Sequence, residues 1–310
     1  MGGKVYVIGT RMSPLAMWQA QFVQWLLKEQ WPEDEFRVQG IKTTGDDLKI
    51  DISKEGGKGL YVKELQQALL QKKVDFCVHS MKDFPVMPVD GCSLAAVVER
   101  GESRDVFVSR HKIPLNRFKA GMKVGTSSLR RKALLAAQGM GVDIVPVRGN
   151  VDSRVKKVES GEYDGMILAA AGILRLGLES HITEYLDNKT FIPAPGQGAI
   201  AVECRSDDEE LRLRLRRIHH DESGQACSAE RAFLRGMGAN CALPLGAWCE
   251  IEQFQMRLHA FLGDLSGQFV MIDRSVAPIG YAEKLGEELA SRFMNQGAVR
   301  LIQRVSKQSL

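Results

Sequence analysis

Through the first two thirds of the chain, short apolar and β-branched runs alternate with longer stretches of helical periodicity. Residues 4–8 read as a strand, 14–28 as an amphipathic helix, 36–42 as a second strand and 61–71 as a second helix. A buried strand at 74–78 and extended segments at 94–98 and 105–108 follow. The pattern then restarts, with strand 123–125, helix 129–138, strand 142–147, helix 151–159 and strand 165–169. Strands separated by helices of this length need crossover connections, which predicts two α/β domains with mainly parallel sheets. Beyond Asp207 the texture changes to charged helical runs at 207–219 and 223–237, strands at 243–251, 255–262 and 268–273, and a final helix at 281–295. That predicts a small third α+β domain. Pro193-Ala194-Pro195-Gly196-Gln197-Gly198 is too rich in Pro and Gly for either element and reads as a hinge.

Composition narrows the class. The 310 residues are 44% hydrophobic and 26% charged, as in ordinary globular proteins. The longest apolar run, 166–174, ends at Arg175, well short of the ~18 residues that span a bilayer. The start, Met-Gly-Gly-Lys-Val-Tyr, has neither a secretory layout nor a myristoylation pattern, so a cytoplasmic protein is expected. Six cysteines (77, 92, 204, 227, 241 and 249) form no C-x-x-C pair, which points to reduced thiols and no zinc site. A net charge of +4 is too mild to demand nucleic acid, so the placement of individual arginines carries the electrostatic argument.

Those arginines recur at strand-to-helix junctions. Thr10-Arg11-Met12-Ser13-Pro14 closes the first strand, with Ser13 as N-cap and Pro14 at the first helical position. Gly125-Thr126-Ser127-Ser128-Leu129-Arg130-Arg131 and Val147-Arg148-Gly149-Asn150-Val151-Asp152-Ser153-Arg154 repeat the arrangement. A cation is disfavoured at a helix N-terminus by roughly 0.3–1 kcal/mol. Adjacent arginines there make sense if an anion lies between them and the free N–H groups; the alternative is that they simply extend into water. Carboxyl ends of parallel strands are where open α/β sheets take ligands, so a polyanion held between two α/β domains is expected. Lys54-Glu55-Gly56-Gly57-Lys58-Gly59 fails the P-loop pattern and reads as a basic lid or a surface loop. In His79-Ser80-Met81-Lys82-Asp83, an acid beside a lysine after a buried strand suits proton transfer, although such an Asp is more often a turn residue. His79 reads as a satisfied core histidine. Cys241, on the Gly/Pro-bounded run 238–246, is a reachable thiol that could be a nucleophile or inert.

Together and in order, these motifs, with Gly57-Lys58-Gly59-Leu60 and Pro195-Gly196-Gln197-Gly198, resemble the hydroxymethylbilane synthase (porphobilinogen deaminase) family along essentially the whole chain. The resemblance implies a first domain of residues 1–98 plus 197–216, a second of 99–196 and a third of 217–310. The first two would resemble type II periplasmic binding protein domains. It implies a dipyrromethane cofactor joined by a thioether to Cys241, to which four porphobilinogen units are added head to tail with loss of ammonia. The linear tetrapyrrole hydroxymethylbilane is then released by hydrolysis.

By the same resemblance Asp83 is catalytic. Lys82, Ser80, Ser127, Ser128, Arg130, Arg131 and Gly149 would hold the cofactor. Arg11, Ser13, Arg148, Arg154, Arg175 and Gln197, with Lys54 and Lys58 from the lid, would hold substrate. It further implies a cytoplasmic monomer without metal, membrane or nucleic-acid partners, passing its product to uroporphyrinogen-III synthase. Arginine suits acetate and propionate groups because its planar fork meets a carboxylate with two parallel hydrogen bonds. One departure stands out: the family commonly has Glu-Gly-Gly-Cys, whereas here the run is Gly238-Ala239-Asn240-Cys241. Asn tolerates positive φ better than other non-glycine residues, so the change is compatible with a left-handed turn.

Two other classes compete: a solute-binding protein and a nucleic-acid binder. An acid placed among the carboxylate-binding residues argues against the first, and arginines at sheet junctions without aromatic interleaving argue against the second. Cys241→Ser is expected to give a folded, inactive chain without the pyrrole adduct, while Cys227→Ser and Cys249→Ser keep it. Intact mass under denaturing conditions checks this, and the adduct on any other cysteine refutes it.

Overall fold

The structure, a computed structural model, describes residues 3–44, 62–87, 89–238 and 243–308. Along the chain run β1 (Val5–Arg11), α1 (Pro14–Gln30), β2 (Glu35–Ile41), α2 (Lys63–Leu70), β3 (Phe76–Ser80) and β4 (Cys92–Val97). Next come β5 (Asp105–Ser109), β6 (Lys123–Gly125), α3 (Leu129–Ala137), β7 (Asp143–Val145), α4 (Val151–Glu159), β8 (Gly165–Ala169), α5 (Ala170–Arg175) and β9 (Glu184–Tyr185). The remainder is β10 (Ile200–Arg205), α6 (Glu209–Leu215), α7 (Asp221–Gly236), β11 (Leu245–Glu252), β12 (Gln255–Gly263), β13 (Val270–Pro278), α8 (Ala282–Asn295) and α9 (Ala298–Gln308). Two compact units result, Met1–Gly101 with Gly198–Gly224, and Glu102–Gln197 with Gln225–Leu310.

Each unit holds one five-stranded sheet, in the orders β2-β1-β3-β10-β4 and β7-β6-β8-β5-β9. In the first, β1 pairs in parallel with β2 and β3, whereas β10 runs antiparallel to both β3 and β4. In the second, β6 is parallel to β7 and β8, and β5 is antiparallel to β8 and β9. The expectation of mainly parallel sheets is therefore refined: four strands of each sheet share a direction, and the fourth position is reversed. Reversal matters because it brings the first residue of β5 or β10 to the edge where its neighbours end.

Both sheets are buried on two faces, which is why their strands read as continuous apolar runs. In the first unit Ile8, Phe76, Val78, Ile200 and Val202 pack with Val23 and Leu27 of α1, while Cys77 faces Leu65 and Leu69 of α2. In the second, Phe107 and Ile167 point toward Ala133 and Leu134 of α3, and Val106, Val108, Met166 and Leu168 toward Val155 and Val158 of α4. The third sheet, β11-β12-β13, is an antiparallel meander whose Phe261 enters the α3-side core. Helices α7 and α8 meet at Gly286, where a Cβ would lie 2.3 Å from the Ala229 carbonyl oxygen, so only glycine permits this approach. Phe233 and Phe293 close the same contact edge to face at 5.1 Å. Two α/β domains and a small α+β domain therefore form the expected three-domain architecture, the third sharing a compact unit with the second sheet.

Four elements escape the sequence reading. Residues 166–174 form one apolar run, so the switch from β8 to α5 at Ala169/Ala170 leaves no polar break. β10 begins two residues after the Pro/Gly-rich segment, β9 has only two residues, and α9 ends the chain.

The two-residue turn joining β11 and β12 places Gln253 at φ 50° and Phe254 at φ 64°. Such turns favour Asn-Gly because both central residues must adopt positive φ. Replacing the pair with Asn-Gly is expected to stabilise the chain by ~1–2 kcal/mol, read as a higher denaturant midpoint at unchanged slope; an unchanged midpoint refutes it.

Candidate functional site

In the first unit the expected residues cluster at the carboxyl ends of β1 and β3, which are neighbours in the sheet. Arg11 is the last residue of β1 and is half-buried. Ser13 caps α1: its Oγ accepts from the Ala16 N–H at 3.4 Å, with Pro14 opening the helix. Ser80 ends β3 and donates to Gln19 Oε1 of α1 at 3.0 Å, tying strand end to helix start. The chain then makes one 3-10 turn, Met81–Asp83, because Met81 is buried and its N–H donates to the Ala199 carbonyl at 3.0 Å. That turn leaves Lys82 and Asp83 exposed on one short, anchored element.

Beneath it lies a buried polar chain. His79 Nε2 sits 2.9 Å from Glu203 Oε2, and Glu203 Oε1 accepts from Gln66 Nε2 at 2.7 Å. His79 also packs its ring on Phe84, centroids 5.3 Å apart. His79 is thus the satisfied interior histidine expected from the sequence.

In the second unit the junctions after β6 and β7 are stitched together. Ser127 Oγ donates to the Val147 carbonyl at 2.7 Å and accepts from the Val147 N–H at 2.9 Å. Ser128 caps α3, accepting from the Arg131 N–H at 3.4 Å. Gly149 has φ 114°, and a Cβ there would sit 2.5 Å from Ser153 Oγ, so the turn into α4 requires glycine. Asn150 occupies the N-cap position of α4 without a side-chain capping bond. Arg148 is exposed, and Arg154 and Arg175 are half-buried. Burial pushes the Arg175 guanidinium down to about 10, leaving it cationic at neutral pH.

Arg130 and Arg131 do not extend into water. They are 4% and 7% exposed and converge on Asp105, the fully buried first residue of β5. Arg131 donates from Nε at 3.1 Å and Nη2 at 2.7 Å to Asp105 Oδ1, and from Nη1 to the Ile167 carbonyl at 2.9 Å. Arg130 Nη1 lies 2.8 Å from Asp105 Oδ2 and also donates to the Ile192 carbonyl at 2.8 Å. Gln197, 1% exposed, gives Nε2 to Asp105 Oδ1 at 3.0 Å and to the Ser103 carbonyl at 2.8 Å. Burial alone would raise the Asp105 carboxyl; the two guanidiniums overcome it and hold the group well below the usual carboxylate range.

Part of the anion that the sequence demanded at this junction is therefore internal. Sequence reasoning misses Asp105 because the extended run at 105–108 carries no signal of strand direction. Its reversal pairs Asp105 with Ala169, the last residue of β8, and so delivers the carboxylate to the arginine edge. The one available signal was a lone acid opening an otherwise apolar strand.

Cys241, Lys54 and Lys58 lie outside the described residues. The other cysteines, 77, 92, 204, 227 and 249, are all buried. Among the described residues no helix is long and apolar enough to cross a membrane.

Two mixed α/β sheets and a small antiparallel sheet, with charged side chains gathered at strand ends, define a three-domain α/β protein. Residues 6–213 match the family described as porphobilinogen deaminase, dipyromethane cofactor binding domain, and 225–295 match porphobilinogen deaminase, C-terminal domain. The porphobilinogen deaminase of Chromobacterium violaceum is 42% identical over 297 residues, covering 96% of each chain. That of Neisseria meningitidis serogroup A is 42% identical over 303 residues, 97% of each, and that of Desulfitobacterium hafniense 41% over 300 residues, 96% of each. Among solved structures, the periplasmic VFT2 domain of Bordetella pertussis BvgS is similar at 15% identity and a TM-score of 0.43, covering 69% of this chain and 86% of that one. The chain belongs to the porphobilinogen deaminase family.

Removing Arg131 leaves Asp105 paired with Arg130 but strips two of the three N–H donors from its buried Oδ1, at a cost of about 1–3 kcal/mol. Arg131→Ala is expected to destabilise the chain by that amount, and Arg131→Lys to recover only part of it because an ammonium cannot make the fork. A carboxyl depressed by folding contributes stability that is complete above its unfolded pKa of ~3.9 and is lost as pH falls toward its folded value. The destabilisation of Arg131→Ala should therefore shrink below about pH 4. Denaturant melts from pH 7 to 3 measure both effects, and a pH-independent change under 0.5 kcal/mol, the scale of ordinary surface substitutions, refutes them.

Proposed function

We propose that the chain is a transferase that joins four porphobilinogen molecules head to tail, with loss of ammonia, and releases linear hydroxymethylbilane by hydrolysis in tetrapyrrole biosynthesis. The observation that carries this reading is the family match over nearly the whole of both chains. A dipyrromethane attached through a thioether at Cys241 supplies, when bound, the pyrrole end on which the chain grows. The residues present suit such a group. Arg130 and Arg131 bring two buried cations to one carboxylate, and Arg130 Nε is buried without a hydrogen-bond partner. Arg148, Arg154 and Arg175, with Ser127, Ser128 and Gly149 at the junctions, complete a donor set for acetate and propionate carboxylates.

Asp83 is the reacting acid. Its carboxyl protonates the aminomethyl nitrogen of porphobilinogen, the carbon–nitrogen bond breaks and ammonia departs with the proton. The carboxylate left behind would stabilise the electron-poor methylene carbon until the new carbon–carbon bond forms. It would then take up the proton released as that bond forms. Such acid–base assistance is typically worth ~100- to 10,000-fold. The 3-10 turn suits the task because Met81, anchored to Ala199, fixes the backbone that carries the carboxyl.

Ser80 and Lys82 hold cofactor carboxylates on the same turn, while Arg11 and Ser13, with Lys54 and Lys58, hold substrate; Gln197, buried against Asp105, does not reach it directly. The reaction is cytoplasmic and run by a monomer, and its product passes to uroporphyrinogen-III synthase.

Incubation with porphobilinogen should release a linear tetrapyrrole, and acidic Ehrlich reagent should colour the protein itself. Asp83→Asn is expected to lose at least ~100-fold in turnover with substrate affinity within a few-fold, and Asp83→Glu to keep partial activity. Wild-type turnover in Asp83→Asn removes the residue from the mechanism, and a chain that neither consumes porphobilinogen nor colours overturns the reading.

A further inference from the structure

We propose that Asp105 is a positioning residue for carboxylate binding, setting both the charge and the orientation of the Arg130–Arg131 pair; this rests on the function proposed above. Both arginines are buried, and no second acid pairs with either among the described residues. Two cations against one carboxylate leave a single net positive charge in a desolvated place. An uncompensated interior charge is expensive, and so is a buried N–H without an acceptor such as Arg130 Nε. Both observations describe a pair that is complete only when one further anion arrives. Without Asp105 the two guanidiniums would repel each other and demand two anions. A second internal acid would leave nothing for a ligand.

The geometry fixes direction as well as charge. Asp105 Oδ1 takes two N–H groups of Arg131, and Oδ2 lies 2.8 Å from Arg130 Nη1, so one carboxylate faces both guanidiniums. Backbone carbonyls of Ile167 and Ile192 take one further donor from each arginine. Gln197 holds the carboxylate in turn, its amide bridging Asp105 and the Ser103 carbonyl. Gln197, expected from the resemblance to contact substrate, thereby acts through Asp105.

The test compares the full-length wild type with Asp105→Asn, which keeps the shape without the charge, and Asp105→Ala, which opens space for a small carboxylate. Each is pulsed with a range of porphobilinogen concentrations, and bound pyrroles are counted by denaturing intact mass. The half-saturating porphobilinogen concentration is expected to rise at least ~10-fold in both variants. Excess formate should restore the alanine variant toward wild type and leave the asparagine variant unmoved. A lowered melting temperature with an unshifted half-saturating concentration makes Asp105 merely structural and overturns the proposal. So does a shift in the alanine variant that formate does not relieve.

If neither Asp105 variant folds, Gln197→Ala decides the question: it keeps every charge and removes one donor from Oδ1. An increase of a few-fold with no formate response supports the proposal, and an unchanged value overturns it. Wild-type protein that gains no pyrroles while melting normally overturns the proposed function, and the positioning role with it.

Discussion

A carboxylate with two guanidiniums on it, all three inside the second unit, is the interaction on which the candidate site depends most. Taking charges out of water costs several kcal/mol each, and only close, well-directed partners recover it. Asp105 and Arg131 meet that condition with hydrogen bonds of 2.7 and 3.1 Å, Arg130 Nη1 lies 2.8 Å from the other carboxylate oxygen, and carbonyl groups take one further donor from each arginine. The arrangement is nevertheless one anion short of neutrality.

What makes the triad possible is strand direction. In a wholly parallel sheet, β5 would start at the edge remote from α3, and Asp105 could not reach its arginines. Both large sheets reverse the strand at the same position, and the first sheet uses the reversal similarly. There β10 starts beside the end of β3, so the Ala199 carbonyl anchors Met81 and holds the turn that displays Lys82 and Asp83. The same topological device serves an acid that is buried and one that is exposed. Burial separates them: Asp105 is enclosed and held ionised by its neighbours, whereas Asp83 faces solvent.

Much of this was legible in the residues. The spans of β6, α4 and β8, the Ser13 cap, Pro14 at the start of α1 and the internal character of His79 all follow from local chemistry. Each depends on a hydrogen-bonding or steric preference within a few positions of chain. The α5 boundary escaped because a fully buried strand and a fully buried helix carry the same apolar signal. For Arg130 and Arg131 the local argument that a helix N-terminus needs an anion was sound. It could not say that the anion at hand would be a side chain from a strand more than twenty positions earlier.

By itself, then, the sequence determined the alternation of elements, the junctions that gather cations, the turn that carries Asp83 and the family to which the chain belongs. These rest on short-range periodicity, capping and an ordered set of motifs. Tertiary structure alone decided which of those charges meet. The reversal of β5 and β10, the pairing of Asp105 with two arginines and the links from Ser127 to Val147 and from Gln197 to Asp105 depend on strand order and direction. Many arrangements share the same local pattern, and only the packing of whole sheets selects one among them.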